Sequence, residues 1–459
     1  MHRRTSTSDE LHEAPDQLNR LRLGELWTYF RGEKPSFWFL CIYFFFEYVR
    51  PQSLYTVIDV LPYGTITLAL ALVSFLMEGR WFRLRSPADS LLLIYTVVVL
   101  ASSVLAVSPA VAYENLYIYV SWVIVYFLIT NIVVTERRLF VFMIGFLLYS
   151  FKMSQHGTRS WAAIGFQFRD WGTYGAPGWF QNSGEFGIQM TIFFPIALYL
   201  WIGLRRYWSK PKSIVVLALP VTALLGMVAS SSRGALLGGA VVGLWMLFKS
   251  QYRVKGTIVM VVLALGLYAI TPPEQKGRLG DSGSDQTSVE RLDMWKDGLV
   301  IAREHPLSGI GYFIWTPYRV RQGHRALLPH NIFIQCVSEL GYTGLLVFLT
   351  MIVSTFWMNH RSRKRLRRVP GHSPFLWHLS LGLDGGLIGF LTSGFFVTVL
   401  YYPFFWINLA LTTALYSVVS TDMRAGSKVV APGRTWLRTT AQRDPEPAYS
   451  QSSYPRGSR

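Results

Sequence analysis

The chain has 459 residues, of which 51% are hydrophobic and only 15% are charged, and its mean hydropathy is +0.29. Because soluble domains carry about a quarter of charged residues, this composition excludes a soluble globular protein and indicates a polytopic membrane protein. The net charge of +18 is divided among short basic runs between apolar segments. We interpret these runs as topology signals and expect membrane lipids, and no nucleic acid, as partners.

The predicted elements begin after a polar segment, residues 1–35, which does not resemble a cleavable signal and is interpreted as a cytoplasmic tail. A spanning helix needs about 20 mostly apolar residues. We therefore predict an all-α fold: a polytopic membrane helix bundle of about 12 transmembrane helices over residues 36–420, counted by the span-length rule. The predicted spans are 36–48, 61–76, 90–105, 114–134, 139–151, 185–203, 214–229, 234–248, 257–270, 332–358, 382–401 and 404–420.

Every second connection between these spans is basic, which is the positive-inside pattern. It places both termini in the cytoplasm and two longer connections, 152–184 and 271–331, on the outside. The segment 421–459 is rich in Arg, Pro and Ser and is predicted to be a disordered basic cytoplasmic tail. The two cysteines lie in apolar stretches, so no disulfide framework is implied.

Arg233, in the stretch SSSRGA, falls at the outer end of the predicted eighth span. One interpretation is a helix-end arginine whose side chain reaches the interface. Against it, the positive-inside bias disfavours arginine on this side, and an arginine within a span costs about 2.5–3.5 kcal/mol unless it faces a cavity. We therefore favour a functional role for Arg233.

The large outer loop, 271–331, is predicted to carry short amphipathic helices. Residues 289–303 place Arg291 near the start of a helix along the membrane surface. Its apolar stripe has helical spacing and consists of Leu292, Trp295, Leu299 and Ala302. The simpler interpretation of Arg291 is a solvated surface charge. The glycines at 309 and 311 then predict a backbone turn.

His330 and Asn331 stand at the start of the tenth predicted span, directly after a proline. An imidazole can exchange a proton near neutral pH, although a histidine at an interface is more often structural. Glu339 follows nine residues later, which at about 100° per residue puts it on the far side of the helix from His330. We interpret Glu339 as the counter-charge of a buried arginine.

The smaller outer loop is rich in aromatic residues and leads into the stretch WFQNSGEFGIQM, which contains Trp179 and Asn182. Aromatic side chains at this depth usually form an interface belt, but they also stack on sugar rings. Arg159 and Arg169 are further candidates for contact with an anionic ligand. The other aromatic residues of this loop are Trp161, Trp171 and Tyr174.

Four stretches together resemble the O-antigen ligase and O-antigen polymerase superfamily of bacterial integral-membrane glycosyltransferases. They are WFQNSGEFGIQM, SSSRGA, an arginine before W…EHPLSGIGY, and HNIFIQCVSELGYTGLL. The resemblance covers the central half of the chain, 179–346. Each stretch is weak alone, and their order, spacing and shared side of the membrane make the combination specific.

The resemblance implies a polyprenyl-diphosphate-linked glycan as donor, with Arg233 and Arg291 binding the diphosphate and His330 acting as general base on an acceptor hydroxyl. It implies an inverting reaction without a metal or other cofactor, in the bacterial inner membrane, with the site facing the periplasm. The predicted substrate-binding residues are Arg233, Arg291, Asn182, Trp179, Asn331 and Glu339.

The acceptor is left open by the sequence. A glycan, a lipid or a protein can accept, so a lipopolysaccharide ligase, a repeat-unit polymerase and a protein O-glycosylation ligase all remain alternatives within the superfamily. Four basic residues near His330 match no motif: Arg319, Arg321, His324 and Arg325. A lipid-glycan flippase or transporter is the alternative from another class. It is disfavoured because the candidate residues gather at one face and no internal repeat is visible.

Overall fold

The computed structural model describes residues 19–168, 172–270, 286–369 and 371–430, and over these residues it is helical without strands. In chain order the helices are α1 (Leu23–Arg31), α2 (Pro35–Tyr48), α3 (Pro51–Leu54), α4 (Tyr63–Met77), α5 (Pro87–Val104), α6 (Pro109–Ile132), α7 (Glu136–Ala163), α8 (Ser183–Leu204), α9 (Lys210–Ala229), α10 (Arg233–Lys249), α11 (Arg253–Ile270), α12 (Gln286–Glu304), α13 (Trp315–Arg321), α14 (Ile332–Leu366), α15 (Pro374–Gly394) and α16 (Pro403–Val430).

Each of the twelve predicted spans overlaps one of these helices. Seven helices are long and apolar enough to cross a membrane: α5, α6, α8, α9, α14, α15 and α16. Three of the others, α2, α4 and α10, have 14, 15 and 17 residues and fall short of the usual span. The all-α polytopic fold is confirmed.

Local sequence signals explain where many of these helices start. Asn182 and Glu185 form a capping box at α8, and Ser86 and Asp89 form one at α5. Several helices have proline in the first turn, where the missing N–H costs nothing. Asn331 caps α14 by accepting hydrogen bonds from two backbone N–H groups.

Helices α8 and α15 pack closely at the centre of the bundle. A β-carbon on Gly382 of α15 would lie 2.8 Å from the Ile196 Cα of α8, so the two backbones touch at this glycine. Small residues allow such approaches between membrane helices. The contact fixes the position of α15 and of the chain that follows it.

Helix α15 was predicted at 382–401, and this placement is wrong at both ends. The helix begins at Pro374 after the cap residue Ser373 and stops at Gly394. The apolar run continues to residue 401 because the following turn is itself largely buried, with Val399 and Leu400 fully enclosed. Hydropathy alone does not separate a spanning helix from a buried turn.

Helix α14 is interrupted at Gly341, whose φ of +69° is left-handed. The loop before α13 packs against this break, where the Ile310 N–H donates to the Ser338 carbonyl at 2.9 Å and the Tyr342 N–H to the Pro306 carbonyl at 2.8 Å. A β-carbon on Gly309 would lie 2.4 Å from the Glu339 carbonyl carbon. The turn predicted at Gly309 and Gly311 is confirmed, and its backbone packs against the outer part of α14.

Helix α12 confirms the predicted helix at 289–303. Of its predicted apolar stripe, Ala302 is buried and Trp295 is partly buried, whereas Leu292 and Leu299 are 46% and 43% exposed. Met294 and Ile301 are buried as well, and α12 packs against α14: a β-carbon on Gly298 would lie 2.4 Å from the Ile334 Cγ2.

The predicted tails lie mostly outside the described residues. Residues 1–18 and 431–459 are not described, and neither is 271–285 of the large outer loop. In the described part, α1 lies within the predicted N-terminal tail, and α16 runs to Val430, so residues 421–430 are helical and not disordered as predicted.

Candidate active site

Several of the candidate residues lie near the 393–398 turn, which comprises the last two residues of α15 and the loop that follows. Three helices, α8, α10 and α14, direct their N-terminal ends to this turn. Thr398 contacts the residue before the cap of α14, Val397 lies near α8, and Ser393 and Phe396 lie near α10. The turn is therefore the common reference point for the site.

His330 is held by its backbone beside Thr398. Its N–H donates to the Thr398 Oγ1 at 2.8 Å, and its φ of +45° is left-handed. Histidine is among the residues enriched in this conformation. The next residue, Asn331, is buried, and its Oδ1 accepts from the Phe333 N–H at 2.8 Å and the Ile334 N–H at 3.1 Å. The half-buried imidazole is thus fixed just outside the first turn of α14.

Arg291 approaches the same place from α12. One turn further along this helix, the Trp295 Nε1 donates to the Pro329 carbonyl at 2.9 Å, and its ring lies 5.1 Å from the ring of Phe395. Residues four apart share one side of a helix. Arg291 therefore lies on the side of α12 that faces His330, and its charge acts on the imidazole.

Burial, followed by the positive charge of Arg291, lowers the pKa of His330 from its usual 6.5 to about 4. The imidazole is therefore neutral at pH 7 and has a nitrogen lone pair available to accept a proton. Sequence reasoning placed the two residues in one loop, and the structure brings them within electrostatic reach.

We expect Arg291→Gln to raise the pKa of His330 toward its usual value, because the substitution removes a nearby positive charge. The protonated fraction at pH 5 then rises. Titration of ¹³C-labelled histidine by NMR measures this shift, with His330→Asn used to assign the signal. Arg303→Gln, at the exposed far end of α12, is the matched control and leaves the titration unchanged; an equal shift in both variants contradicts the assignment.

Arg233 is the first residue of α10, whose cap Ser232 accepts from the Ala235 N–H at 3.3 Å. A β-carbon on Gly234 would lie 3.2 Å from the Phe396 Cβ and 3.4 Å from the Ser393 carbonyl oxygen. Arg233 therefore starts its helix directly against the 393–398 turn. The absence of a side chain at Gly234 allows this close approach.

Asn182 brings a third helix to the turn. Its Oδ1 accepts from the Glu185 N–H at 2.9 Å, and the Glu185 carboxylate accepts from the Asn182 N–H at 3.3 Å. A β-carbon on Gly184 would lie 3.5 Å from the Val397 Cγ2. The structure thus gives Asn182 a capping role next to the turn, and its contact with substrate stays a prediction.

Loss of this cap is testable. We expect Asn182→Ala to lower the stability of the bundle by about 1 kcal/mol, and Asn182→Ser to preserve it, because a serine hydroxyl also caps helices. Thermal unfolding in detergent, followed with glycan transfer on the same samples, measures both effects. A stable Asn182→Ser protein that has lost transfer would show that the amide itself contacts substrate.

Trp179 packs among aromatic residues rather than at the 393–398 turn. Its ring lies 5.3 Å from that of Trp122 and 5.1 Å from that of Tyr402, and its Nε1 donates to the Glu47 Oε2 at 3.0 Å. Trp161 likewise donates to the Gln167 carbonyl. Arg169 and Trp171 lie outside the described residues.

Glu339 does not balance a buried arginine, and that interpretation is wrong. Its carboxyl accepts from the Trp315 N–H at 3.0 Å, from the Tyr401 hydroxyl at 2.8 Å and from the Gln335 amide at 3.4 Å. Neutral donors therefore satisfy this buried group. Of the unassigned basic residues, Arg319 is buried and pairs with Asp297, which gives it a structural role.

A cavity of about 350 Å³ opens beside the 393–398 turn. Pro329 and Thr398, the neighbours of His330 in sequence and in space, both line it, as does Glu339. The sequence analysis did not identify Thr398 or Tyr401 as site residues. Their only signal in the sequence is their position among polar and aromatic residues at the end of an apolar run. Among the described residues, no group of three or more His, Cys, Asp or Glu could hold a metal ion.

Comparison with known proteins identifies a matching family. Residues 218–349 match the family described as O-antigen ligase. We call this matched segment, residues 218–349, the O-antigen ligase domain. An O-antigen ligase of Pseudomonas aeruginosa is 30% identical over 244 residues, covering 51% of this chain and 56% of the relative.

A second relative is the exopolysaccharide production protein ExoQ of Rhizobium meliloti. It is 24% identical over 209 residues, covering 40% of this chain and 47% of the relative. The chain thus spans about half the length of the curated relatives it matches. Both matches connect the O-antigen ligase domain to surface polysaccharide biosynthesis.

The O-antigen ligase domain contains some but not all of the candidate site. Arg233, Arg291, His330, Asn331 and Glu339 fall inside the matched range, whereas Asn182 and Trp179 precede it. The 393–398 turn, which the segments bearing Arg233, Arg291, His330 and Asn182 meet, follows it. The candidate site therefore combines residues of the O-antigen ligase domain with a turn that lies outside the matched range.

Proposed function

We propose that this protein transfers a glycan from a polyprenyl diphosphate carrier to an acceptor hydroxyl at the outer face of the bacterial inner membrane. The observation that carries the proposal is the convergence on the 393–398 turn of the α10 end bearing Arg233, the α12 face bearing Arg291, and His330. The O-antigen ligase domain, with its polysaccharide-producing relatives, supports the same reaction class.

The orientation follows from the distribution of charge between the two ends of the bundle. The site lies where α8, α10 and α14 begin. The opposite ends of these helices are basic, carrying Arg205 and Arg206 after α8, Lys249 on α10 and a run from Arg361 to Arg368 at α14. Because basic ends face the cytoplasm, the site faces the periplasm and both termini are cytoplasmic.

The diphosphate is bound by the two arginines and by the start of α10. A guanidinium group offers a fixed fork of donors to phosphate oxygens and keeps its charge at every relevant pH. Unpaired N–H groups and the helix dipole at the start of a helix also favour an anion. These groups stabilise the negative charge that develops on the leaving diphosphate, so the proposed reaction needs no metal ion.

His330 serves as the general base. The acceptor oxygen forms a bond to the anomeric carbon as the bond from that carbon to the phosphate oxygen breaks, and the hydroxyl proton passes to the imidazole. The neutral imidazole is the form that can accept it. Binding of the anionic diphosphate near Arg291 offsets the charge that depresses the pKa of His330, so the base strengthens when the donor is present.

The test is transfer by the purified protein in detergent, from a polyprenyl-diphosphate-linked glycan to a sugar acceptor, with EDTA present. We expect product with the opposite anomeric configuration to the donor, because a single displacement inverts the carbon. NMR of the product reports the configuration. Absence of transfer, or retention of configuration, contradicts the proposal.

A repeat-unit polymerase is the second candidate, favoured by the similarity to the exopolysaccharide production protein. It uses the same donor chemistry and adds the glycan to another repeat unit. Mass spectrometry of surface glycoconjugates with and without the gene distinguishes the two. Loss of glycan from the lipopolysaccharide core indicates a ligase, and loss of long polysaccharide chains indicates a polymerase.

A further inference from the structure

The cavity of about 350 Å³ beside His330 has the size and lining of a small-molecule site. Ligand pockets usually span about 300–1,000 Å³ and combine apolar walls with a few placed polar groups. Here the walls include the rings of Trp315, Tyr401 and Tyr402, and the polar groups are Asn115, Gln335 and Glu339. Aromatic faces with hydrogen-bonding groups between them suit the alternating C–H and hydroxyl faces of a sugar ring.

The polar groups are held rigidly by the protein. The Glu339 carboxyl accepts from the backbone of Trp315 and from the Tyr401 hydroxyl, and Gln335 connects it to the Leu400 N–H at 3.3 Å. Asn115 donates to the Val111 carbonyl at 2.8 Å, which fixes its amide at the cavity wall. Such fixed groups lose little entropy when a ligand binds.

The charge of the lining disfavours an anionic ligand. The described lining residues include the Glu339 carboxyl and no lysine or arginine. A diphosphate is therefore disfavoured here, whereas sugar hydroxyls can both donate to and accept from these groups. The two arginines of the proposed donor site lie outside this lining.

The position of the cavity identifies which sugar it binds. Thr398 lines the cavity and holds the His330 backbone, while Gly234, the residue after Arg233, meets the same turn at Ser393 and Phe396. In an inverting displacement the acceptor and the leaving diphosphate lie on opposite sides of the anomeric carbon. The base must also lie on the acceptor side.

We propose that this cavity is the binding subsite for the sugar ring of the acceptor glycan, adjacent to His330. The inference rests on the proposed glycan transfer. It assigns Asn115, Gln335 and Glu339 to acceptor recognition, and it makes the turn after α15 part of the acceptor site.

The test fills the cavity and measures acceptor binding directly. The probes are diazirine-bearing derivatives of the core oligosaccharide released from the host's lipopolysaccharide and, in a parallel arm, of its polysaccharide repeat unit. Photolabelling followed by peptide mass spectrometry locates the bound sugar in the full-length protein, with or without turnover.

Asn115→Trp fills the cavity from α6, and Thr316→Trp fills it from α13. Glu114→Trp, exposed on the neighbouring position of α6, is the matched control.

We expect one probe to label the peptides containing 311–317, 335–339 or 398–402, and both filling variants to remove this labelling. The KM for the acceptor rises by about tenfold or more, while donor KM changes little. Glu114→Trp behaves as the wild type.

Labelling that survives both filling variants overturns the inference, as does a change confined to the donor KM, which would place the donor sugar in the cavity. Cavity labelling without any transfer by the wild type supports a sugar site and contradicts only the proposed function. Transfer without cavity labelling contradicts only the acceptor subsite.

Discussion

His330→Ala is expected to lower the rate of glycan transfer by about 10²–10⁴-fold, the usual contribution of a general base. The imidazole is half-buried beside the 393–398 turn, and its neutral form dominates at pH 7 because its pKa is lowered to about 4. Single-turnover transfer from the lipid-linked donor measures the effect on chemistry. Donor affinity is expected to change little, because the proposed diphosphate contacts come from the arginines and not from His330.

Two further variants separate the chemistry from the backbone conformation. Residue 330 has a left-handed φ of +45°, which asparagine also tolerates. His330→Asn therefore keeps the turn and removes the base, and it should lose as much activity as alanine. His324→Ala alters an exposed histidine in the same loop and should transfer normally. Wild-type rates in His330→Asn would remove the base from the proposal.

Arg233→Ala and Arg291→Ala are each expected to lower kcat/KM for the donor by about 10²–10³-fold, as expected when a preorganised charge is lost from a transition state. The lysine variants keep the charge but lose the bidentate fork, so we expect an intermediate loss. Kinetics with varied donor concentration measures both series.

If the two arginines bind one diphosphate, the effects of substituting them are expected to be coupled. If both contact the same group, their effects are not additive, and the double alanine variant loses less than the product of the single losses. Arg303→Ala, on the exposed end of α12, is the control for a surface charge. Independent, fully additive losses would indicate that the arginines bind different groups.

The sequence predicted most of the architecture because span length and hydropathy are local properties. The twelve apolar runs coincide with helices, and capping signals such as Asn331 coincide with helix starts. The errors have one cause: hydropathy reports burial in an apolar environment, not helical conformation. The buried turn after Gly394 was therefore read as part of a span.

Candidate site residues that belong to sequence motifs could be proposed from the sequence. Those that are linked only by tertiary contacts could not. Arg233, Arg291 and His330 were predicted from motifs that resemble those of the O-antigen ligase and O-antigen polymerase superfamily. The partners of Glu339 were not, since Tyr401 lies 62 residues away and Trp315 contributes only a backbone N–H. No local pattern contains such pairings.

The sequence by itself determined that this is a polytopic helical membrane protein, which end of each helix is basic, and which ionisable residues are out of place in an apolar chain. Only the tertiary structure decided that the starts of α8, α10 and α14 meet at one turn, and that a cavity lies beside His330. The physical reason is that hydropathy and charge act residue by residue. The meeting of helices depends on how side chains and backbones pack across the whole bundle.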